Sequence, residues 1–176
     1  MSGPIRFVVR GEPIAQPRAA TVIRNGARLP VNNPRAHAVS TWKQRIVAAI
    51  EHQYAGGRQL VGPIGLTVLF LLPRPERLNS KPRSRVQLPA YEVWHTSKPD
   101  CDNLVKALKD AGKGLLWRDD CEVAEEIVRK GFHARGGAPL ALVEIREIED
   151  DALSRVVRGC WYADVLLLGV GGEAAA

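Results

Sequence analysis

The chain has 176 residues, of which 45% are hydrophobic and 25% charged, a composition typical of a folded globular domain and unlike that of disordered or membrane-spanning chains. Its length buries enough apolar surface for a core, so neither disulfides nor a structural metal is needed for folding. The three cysteines include no Cys-x-x-Cys pair, and no apolar segment approaches the roughly 20 residues of a membrane-spanning helix. We therefore expect a cytoplasmic protein with reduced thiols and no membrane anchor.

Charge is distributed unevenly along the chain, which has a formal net charge of +6. Residues 1–99 contain 15 Lys and Arg against 4 Asp and Glu, a difference of +11, whereas residues 100–176 contain 10 against 15, a difference of −5. A basic surface attracts polyanions and favours nucleic acid or an anionic membrane as a partner. A basic surface without any partner explains the same charges, so charge alone does not decide.

The first half of the chain predicts a strand, a helix, a second strand and a loop. Residues 5–10 alternate apolar and polar side chains, as in a strand that ends at a Gly-Glu-Pro turn. Residues 34–53 carry apolar side chains at spacings of three and four, which predicts an amphipathic helix. Residues 62–75 are apolar on both faces and indicate an interior strand. The proline-rich, basic residues 74–93 predict a loop.

The second half predicts a short helix over residues 103–113 and two strands over 125–134 and 140–148, linked as a hairpin. The resulting order of elements indicates an α+β fold with a mixed or antiparallel sheet and two main helices. We assign this single domain to residues 1–150. Residues 151–176 form a C-terminal extension of unknown role.

Four aspartates lie in the segment that begins the acidic half: Asp100, Asp102, Asp119 and Asp120. Carboxylates brought together repel one another, so a fold that gathers them must supply protons, cationic side chains or a bound metal. Carboxylate oxygens are the ligands that Mg²⁺ prefers, and Mn²⁺ accepts the same set. If the chain is extended through Asp102, Asp100 and Asp102 point the same way and converge on one cation.

Lys106 lies one helical turn after Asp102, and Asp110 lies one turn further. There Lys106 can neutralise the carboxylates or stabilise charge that develops on a phosphate, with Asp110 holding it in place. Capping by the aspartates, together with a surface ladder of salt bridges from Asp102 through Lys106 to Asp110, explains the same residues without a metal. The residues alone leave both interpretations open.

The same segment resembles a known family. KPDCDNLVKALKDA (98–111), followed by WRDDCEV (117–123), resembles the signature of RusA-family Holliday junction resolvases, in which PDxDN-x-x-K-x-x-x-DA precedes DD-x-Q-V. The chain departs from this pattern at Gly112, where leucine is common, and at Glu122, where glutamine is common. Its segment GEPIAQPR (11–18) is a loose match to the basic opening of the family.

The resemblance implies a RusA-like fold and a homodimeric, Mg²⁺-dependent endonuclease that makes paired nicks in a four-way DNA junction in recombination and repair. By their positions in the motif, Asp100, Asp102 and Asp120 are implied to bind the metal and to be catalytic. The resemblance also implies that Asp119 is an acidic neighbour in the metal site and that Lys106 is a catalytic lysine. A nuclease for other branched DNA, or a noncatalytic DNA-binding protein, is the alternative.

Basic residues are the candidates for contact with DNA phosphates, because Lys and Arg bind the backbone whatever the base sequence. The candidates are Arg18, Arg74, Arg77, Lys81, Arg83, Arg85 and Lys98. Most of them lie in the predicted loop, and Lys98 stands next to the acidic segment. We expect branched DNA to be the partner, held by these residues while the acidic segment holds the metal.

Overall fold

The computed structural model describes residues 3–17, 21–24, 27–30, 34–76 and 93–149. These residues form two helices and a five-stranded mixed sheet, so the predicted α+β class is confirmed. The extension at 151–176 lies outside the described residues, and its separation from the preceding domain stays a prediction.

The described elements follow one another as β1 (Ile5–Arg10), β2 (Thr21–Arg24), β3 (Ala27–Pro30), α1 (Ala36–Gln53), β4 (Ile64–Leu72), β5 (Val93–Trp94), α2 (Cys101–Gly112), a 3₁₀ turn (Asp120–Glu122), β6 (Val123–Phe132) and β7 (Leu140–Glu147). The main sheet has the strand order β1-β7-β4-β6-β5, and β2 pairs with β3 in a separate ribbon. Neighbouring strands of the main sheet are antiparallel, except that β4 and β6 are parallel.

The core lies between one face of the main sheet and the apolar faces of α1 and α2. Val39, Trp42, Ile46 and Ile50 of α1 are buried at the predicted helical spacing. Burying a large apolar side chain stabilises a fold by about 1.5–3 kcal/mol, so this shared core fixes both helices on the sheet. No helix in the described part of the chain has the length and apolar character needed to cross a membrane.

Strand β4 occupies the centre of the sheet, as its apolar residues on both faces predicted. The predicted hairpin of the last two strands is wrong, because β4 lies between them: β6 runs parallel to β4, and β7 pairs with β4 and β1. Burial explains this arrangement. Strand β4 is buried along nearly its whole length, and a central position covers both of its edges as well as its faces.

Three local features differ from the sequence-based expectation. The ribbon β2–β3 and the two-residue strand β5 were not predicted, since strands this short show no usable period. Helix α2 begins at Cys101 rather than at Asn103, so its first turn includes Asp102. This shift decides how the acidic residues are presented.

Candidate metal and nucleic acid site

Asp100 is the N-cap residue of α2, with φ −79° and ψ 150°. Its carbonyl oxygen accepts the hydrogen bond of Leu104 N at 3.2 Å, which closes the first helical turn. The Asp100 side chain is exposed and makes no capping hydrogen bond. Capping is therefore not what this carboxylate does, and its oxygens remain available to a cation or to water.

Asp102 lies in the first turn of α2, so the expectation of a chain extended through Asp102 is wrong. The helix starts directly after Asp100, and the two carboxylates share its N-terminal end without the strand geometry that would point them the same way. Asp102 is exposed. The positive end of the helix dipole favours negative charge at this position.

Lys130 of β6 fixes the segment that leads into α2. Its Nζ donates to the carbonyl oxygens of Ser97 and Pro99, each at 2.6 Å, and its own carbonyl accepts from His95 N at 3.2 Å. The Lys98–Pro99 peptide bond inside this segment is cis. Sequence reasoning did not select Lys130, because alternation along a strand shows which face a residue takes and not which carbonyls it reaches.

His95 is buried beside this segment, and its ring packs against Phe132 with centroids 4.6 Å apart and planes tilted by 54°. Burial, and then the charge of Lys130, lower the pKa of His95, although main-chain hydrogen bonds at His95 and Ser97 act in the opposite direction. A neutral, packed His95 therefore supports the approach to α2.

Lys106 is exposed on α2, one turn after Asp102. Asp110 does not pair with it as expected, but with Lys43 of α1, whose Nζ lies 2.9 Å from Asp110 Oδ2. Burial raises the pKa of Asp110, but hydrogen bonds from Lys43 and Gln16 and the charges of Lys43 and Lys106 outweigh it, so the pKa lies below its ordinary value. Asp110 thus joins the two helices, and the ammonium of Lys106 remains available to an anion.

Asp119 lies beyond the C-terminal end of α2 and is engaged by its neighbours. Its Oδ2 accepts from Lys113 Nζ at 2.6 Å, and its Oδ1 accepts from Cys121 N at 3.4 Å, which caps the 3₁₀ turn. The hydrogen bond from Lys113, then those from Asp120 and the Cys121 N–H, hold the pKa of Asp119 well below its usual range. The same pairing raises the pKa of Lys113. The capping interpretation therefore describes Asp119.

Asp120 begins the 3₁₀ turn and contacts the neighbouring Asp119 carboxylate. Glu122, where the chain departs from the motif, is bound within its own turn. Its Oε2 accepts from Arg118 N at 3.1 Å, and its Oε1 lies 3.3 Å from the Arg118 guanidinium. Of the acidic residues in this turn, Asp120 has no ion pair with a described cationic residue.

The two acidic pairs lie at opposite ends of α2. The helix has 12 residues and is about 18 Å long, at about 1.5 Å per residue. Lys130 touches the Pro99 carbonyl at one end, and Lys113 touches Asp119 at the other. Within the described ranges, no group of three or more His, Cys, Asp or Glu residues is placed to hold a metal ion. A single chain therefore does not bring the four aspartates together.

The candidate DNA contacts differ in their exposure. Lys98 is exposed next to Asp100, whereas the side chain of Arg74 is buried, with 6% of the residue exposed. Arg74 donates from Nη1 to His133 O at 3.5 Å and from its main-chain N to His133 Nε2 at 3.2 Å. A buried guanidinium is not presented to a DNA backbone, so Arg74 is not retained as a contact. The remaining candidates lie outside the described residues: Arg18, Arg77, Lys81, Arg83 and Arg85.

Comparison with known proteins agrees with the motif at α2. The family model for endodeoxyribonuclease RusA matches residues 10–146, a range that includes both acidic pairs and Lys106. The chain is also 32% identical over 144 residues to the "Uncharacterized protein YqaN" of Bacillus subtilis (strain 168), which covers 82% of this chain and 96% of that protein. With most of its length matched, the chain belongs to the RusA endodeoxyribonuclease family.

Proposed function

We propose that the protein is a Mg²⁺-dependent, structure-specific endodeoxyribonuclease that acts as a homodimer and resolves four-way DNA junctions by paired nicks. The observation that carries this proposal is the carboxylate of Asp100, which stands at the start of α2 in the family motif and is not used to cap the helix. An exposed carboxylate beside a second one, Asp102, suits a hard cation. Mn²⁺ accepts the same oxygen ligands.

The separation of the acidic pairs supports a metal site shared between two protomers. Mg²⁺ binds its ligands at about 2.0–2.1 Å, whereas the ends of α2 are about 18 Å apart. In a two-fold dimer with antiparallel α2 helices, the N-terminal end of one helix meets the C-terminal end of the other. Asp100 and Asp102 of one protomer, with the partner subunit's Asp120, then hold the ion, and Asp119 lies beside it.

When bound, the ion supplies a Lewis acid next to the scissile phosphate. Lys106, exposed one turn after Asp102, donates to a phosphate oxygen and offsets the charge that develops there in the transition state. Lys98 provides a cation for the DNA backbone next to the cut. Lys130 ties down the segment in front of Asp100 and so fixes where that carboxylate stands.

The first test is the cleavage of a synthetic four-way junction compared with a flap, a fork and a linear duplex. We expect symmetric nicks on opposed strands of the junction, with Mg²⁺ present and not with excess chelator. Asp102→Asn is expected to bind the junction without cutting it. Cleavage in the chelator, or full activity of Asp102→Asn, would show that the residues are wrongly assigned.

Mixing two inactive variants, Asp100→Asn and Asp120→Asn, tests whether the site is shared. A mixed dimer contains one site with both replacements and one intact site, because each site draws on both chains. Half of the dimers are mixed at equilibrium, so about a quarter of the wild-type sites are expected to return, seen as single nicks. No recovery, after subunit exchange has been verified, would place the whole site within one chain.

Two alternatives are separated by the same experiments. A nuclease for other branched DNA uses the same residues and prefers the flap or the fork. A noncatalytic DNA-binding protein shows no response to Mg²⁺, and its Asp100→Asn variant loses stability instead of activity. The missing capping bond at Asp100 favours an enzyme, because the helix does not depend on this carboxylate.

A further inference from the structure

We infer that the exposed edge of β6 pairs antiparallel with β6 of a second copy of the chain, with Ile127 on the two-fold axis. This pairing rests on the homodimer of the proposed function and specifies the surface and the register through which the two chains meet. Three features support it: an uncovered strand edge, a self-complementary order of charges, and the positions of the acidic pairs.

Strand β6 is uncovered on one side over most of its length. Strand β5 pairs with it at Gly131 and Phe132, and His95 N adds one hydrogen bond to Lys130 O. Along residues 125–129, no described residue pairs with this side of the strand. Such an edge presents N–H and C=O groups that another strand can satisfy.

Strand geometry shows which main-chain groups face outward. Because Lys130 O bonds to His95 N, the main chain of Lys130 points away from β4, and so does that of Val128 and of Glu126. The pairing with β4 is regular from Gly65 onward, so this alternation holds along the uncovered stretch. Glu126 and Val128 therefore offer two donors and two acceptors to a partner strand.

The side chains of the stretch are self-complementary about Ile127. Glu126 pairs with Lys109 of α2, so Glu125, Ile127 and Arg129 lie on the opposite face of the strand. When Ile127 lies opposite its own copy in an antiparallel pair, Glu125 of each chain faces Arg129 of the other. Opposite charges directly across two strands stabilise the pair. Ile127, which is 36% exposed, packs against its copy on the axis.

The neighbouring two-fold register is unfavourable. Centred on Glu126, it places two glutamates directly opposite each other and sets Arg129 against Val123, and like charges in that position destabilise a pair. Charged residues on an edge strand usually discourage pairing. Here the order of the charges, negative then positive about an apolar centre, favours the register centred on Ile127.

The same register brings the acidic pairs together. In an antiparallel pair, the start of β6 in the partner lies opposite the end of β6 in the first chain. The partner subunit's Asp120 thus approaches the segment that Lys130 holds by the carbonyls of Ser97 and Pro99, directly before Asp100. The edge charges and the aspartate positions are independent observations, and both fit this dimer.

The face of the sheet opposite the helices is the competing surface for a second copy. It carries Leu142, which is 41% exposed, and the β5 residue Trp94, at 68%, lies beside Gly131. A dimer through this face would leave the β6 edge uncovered and the ends of the two α2 helices apart. Leu142→Glu is therefore the matched comparison for variants of the β6 edge.

Cysteine cross-linking measures the register directly. Opposed residues at a non-hydrogen-bonded position have Cα atoms about 4.5 Å apart, within the range of about 4.4–6.8 Å found in disulfides. Ile127→Cys is expected to give a covalent dimer on mild oxidation, seen on a non-reducing gel. Glu125→Cys and Arg129→Cys are the controls, because each lies about 13 Å from its own copy in this register. The parent protein, with its three native cysteines, sets the background.

Charge reversal tests the contacts across the axis. Arg129→Glu sets glutamates opposite each other and is expected to raise the dimer dissociation constant at least about tenfold, measured by sedimentation velocity. Glu125→Arg sets arginines opposite each other, with a similar effect. An equimolar mixture of the two single variants restores opposite charges on both sides of the axis and is expected to form mixed dimers. Leu142→Glu is expected to leave the dissociation constant unchanged.

Several results would overturn the pairing: a monomeric wild type at micromolar concentration, cross-linking at 125 or 129 as strong as at 127, or no recovery on mixing. Loss of the dimer in Leu142→Glu but not in Arg129→Glu would assign the interface to the sheet face instead. None of these measurements requires cleavage. A disulfide at position 127 in a protein that cuts no junction keeps the pairing and removes the proposed function, whereas junction cleavage without that disulfide does the reverse.

Discussion

The two ends of α2 carry aspartates in different electrostatic settings. At the N-terminal end, Asp100 is exposed and makes no capping hydrogen bond. At the C-terminal end, Asp119 accepts hydrogen bonds from Lys113 and from Cys121 N, and its pKa lies well below the usual range. A carboxylate whose acceptors are occupied by neighbours holds a turn together, whereas one with open acceptors suits a ligand.

This difference separates the roles of motif residues that look alike in the sequence. Of the pair at the C-terminal end, Asp120 remains for a ligand while Asp119 serves the turn. Because the two ends are about 18 Å apart, neither end completes a metal site alone. Three substitutions test the comparison, and the largest effect is expected at Asp100.

Replacing Asp100 by asparagine should abolish Mg²⁺-dependent junction cleavage. We expect the single-turnover rate to fall at least about 100-fold, or roughly 2.7 kcal/mol in activation free energy, because a metal ligand loses its charge. Junction binding, measured by gel shift, should be kept or strengthened, since a negative charge facing DNA is removed. Glu144→Gln, which alters an exposed carboxylate paired with Arg6 on the far side of the sheet, is the control. Normal cleavage by Asp100→Asn would remove the basis of the comparison.

Replacing Lys106 by methionine should lower the cleavage rate by about 10- to 100-fold, because its charge offsets that of the reacting phosphate. Thermal stability should hardly change, since the side chain is exposed and Asp110 is held by Lys43. Lys106→Arg keeps the charge and should recover part of the rate. Equal rates for the methionine variant and the wild type would exclude Lys106 from the chemistry.

Replacing Asp119 by asparagine should have the smallest effect on cleavage and a visible effect on the pH dependence of stability. The pKa of Asp119 is lowered in the folded chain, so its contribution is present above the unfolded value of about 3.9 and is lost as the pH falls toward the folded value. We expect Tm at pH 7 to fall by less than about 3 °C and its decline below pH 4 to become shallower. A loss of cleavage as large as that of Asp100→Asn would instead make Asp119 a metal ligand.

Several features of the chain were predictable because they depend on neighbouring residues. The spacing of apolar residues predicted α1, the continuous apolar run predicted the central position of β4, and the motif at 98–123 predicted the family. The capping role of Asp119 was one of the alternatives left open by the sequence, and it follows from a local turn.

Other features depend on residues far apart in the chain. The placement of β4 between β6 and β7, the pairing of Asp110 with Lys43, and the hold of Lys130 on the segment before α2 have no local pattern. Each is set by which surfaces the core buries, and burial is a property of the whole fold.

By itself, the sequence determined which residues carry the chemistry: carboxylates and a lysine at motif spacing, within a chain whose first half is basic. Only the tertiary structure decided that these carboxylates lie at two ends of a helix, because residues close in sequence are carried apart by about 1.5 Å for each residue that becomes helical. The aspartates are neighbours in the chain, and a rigid helix between them keeps them from meeting within one protomer.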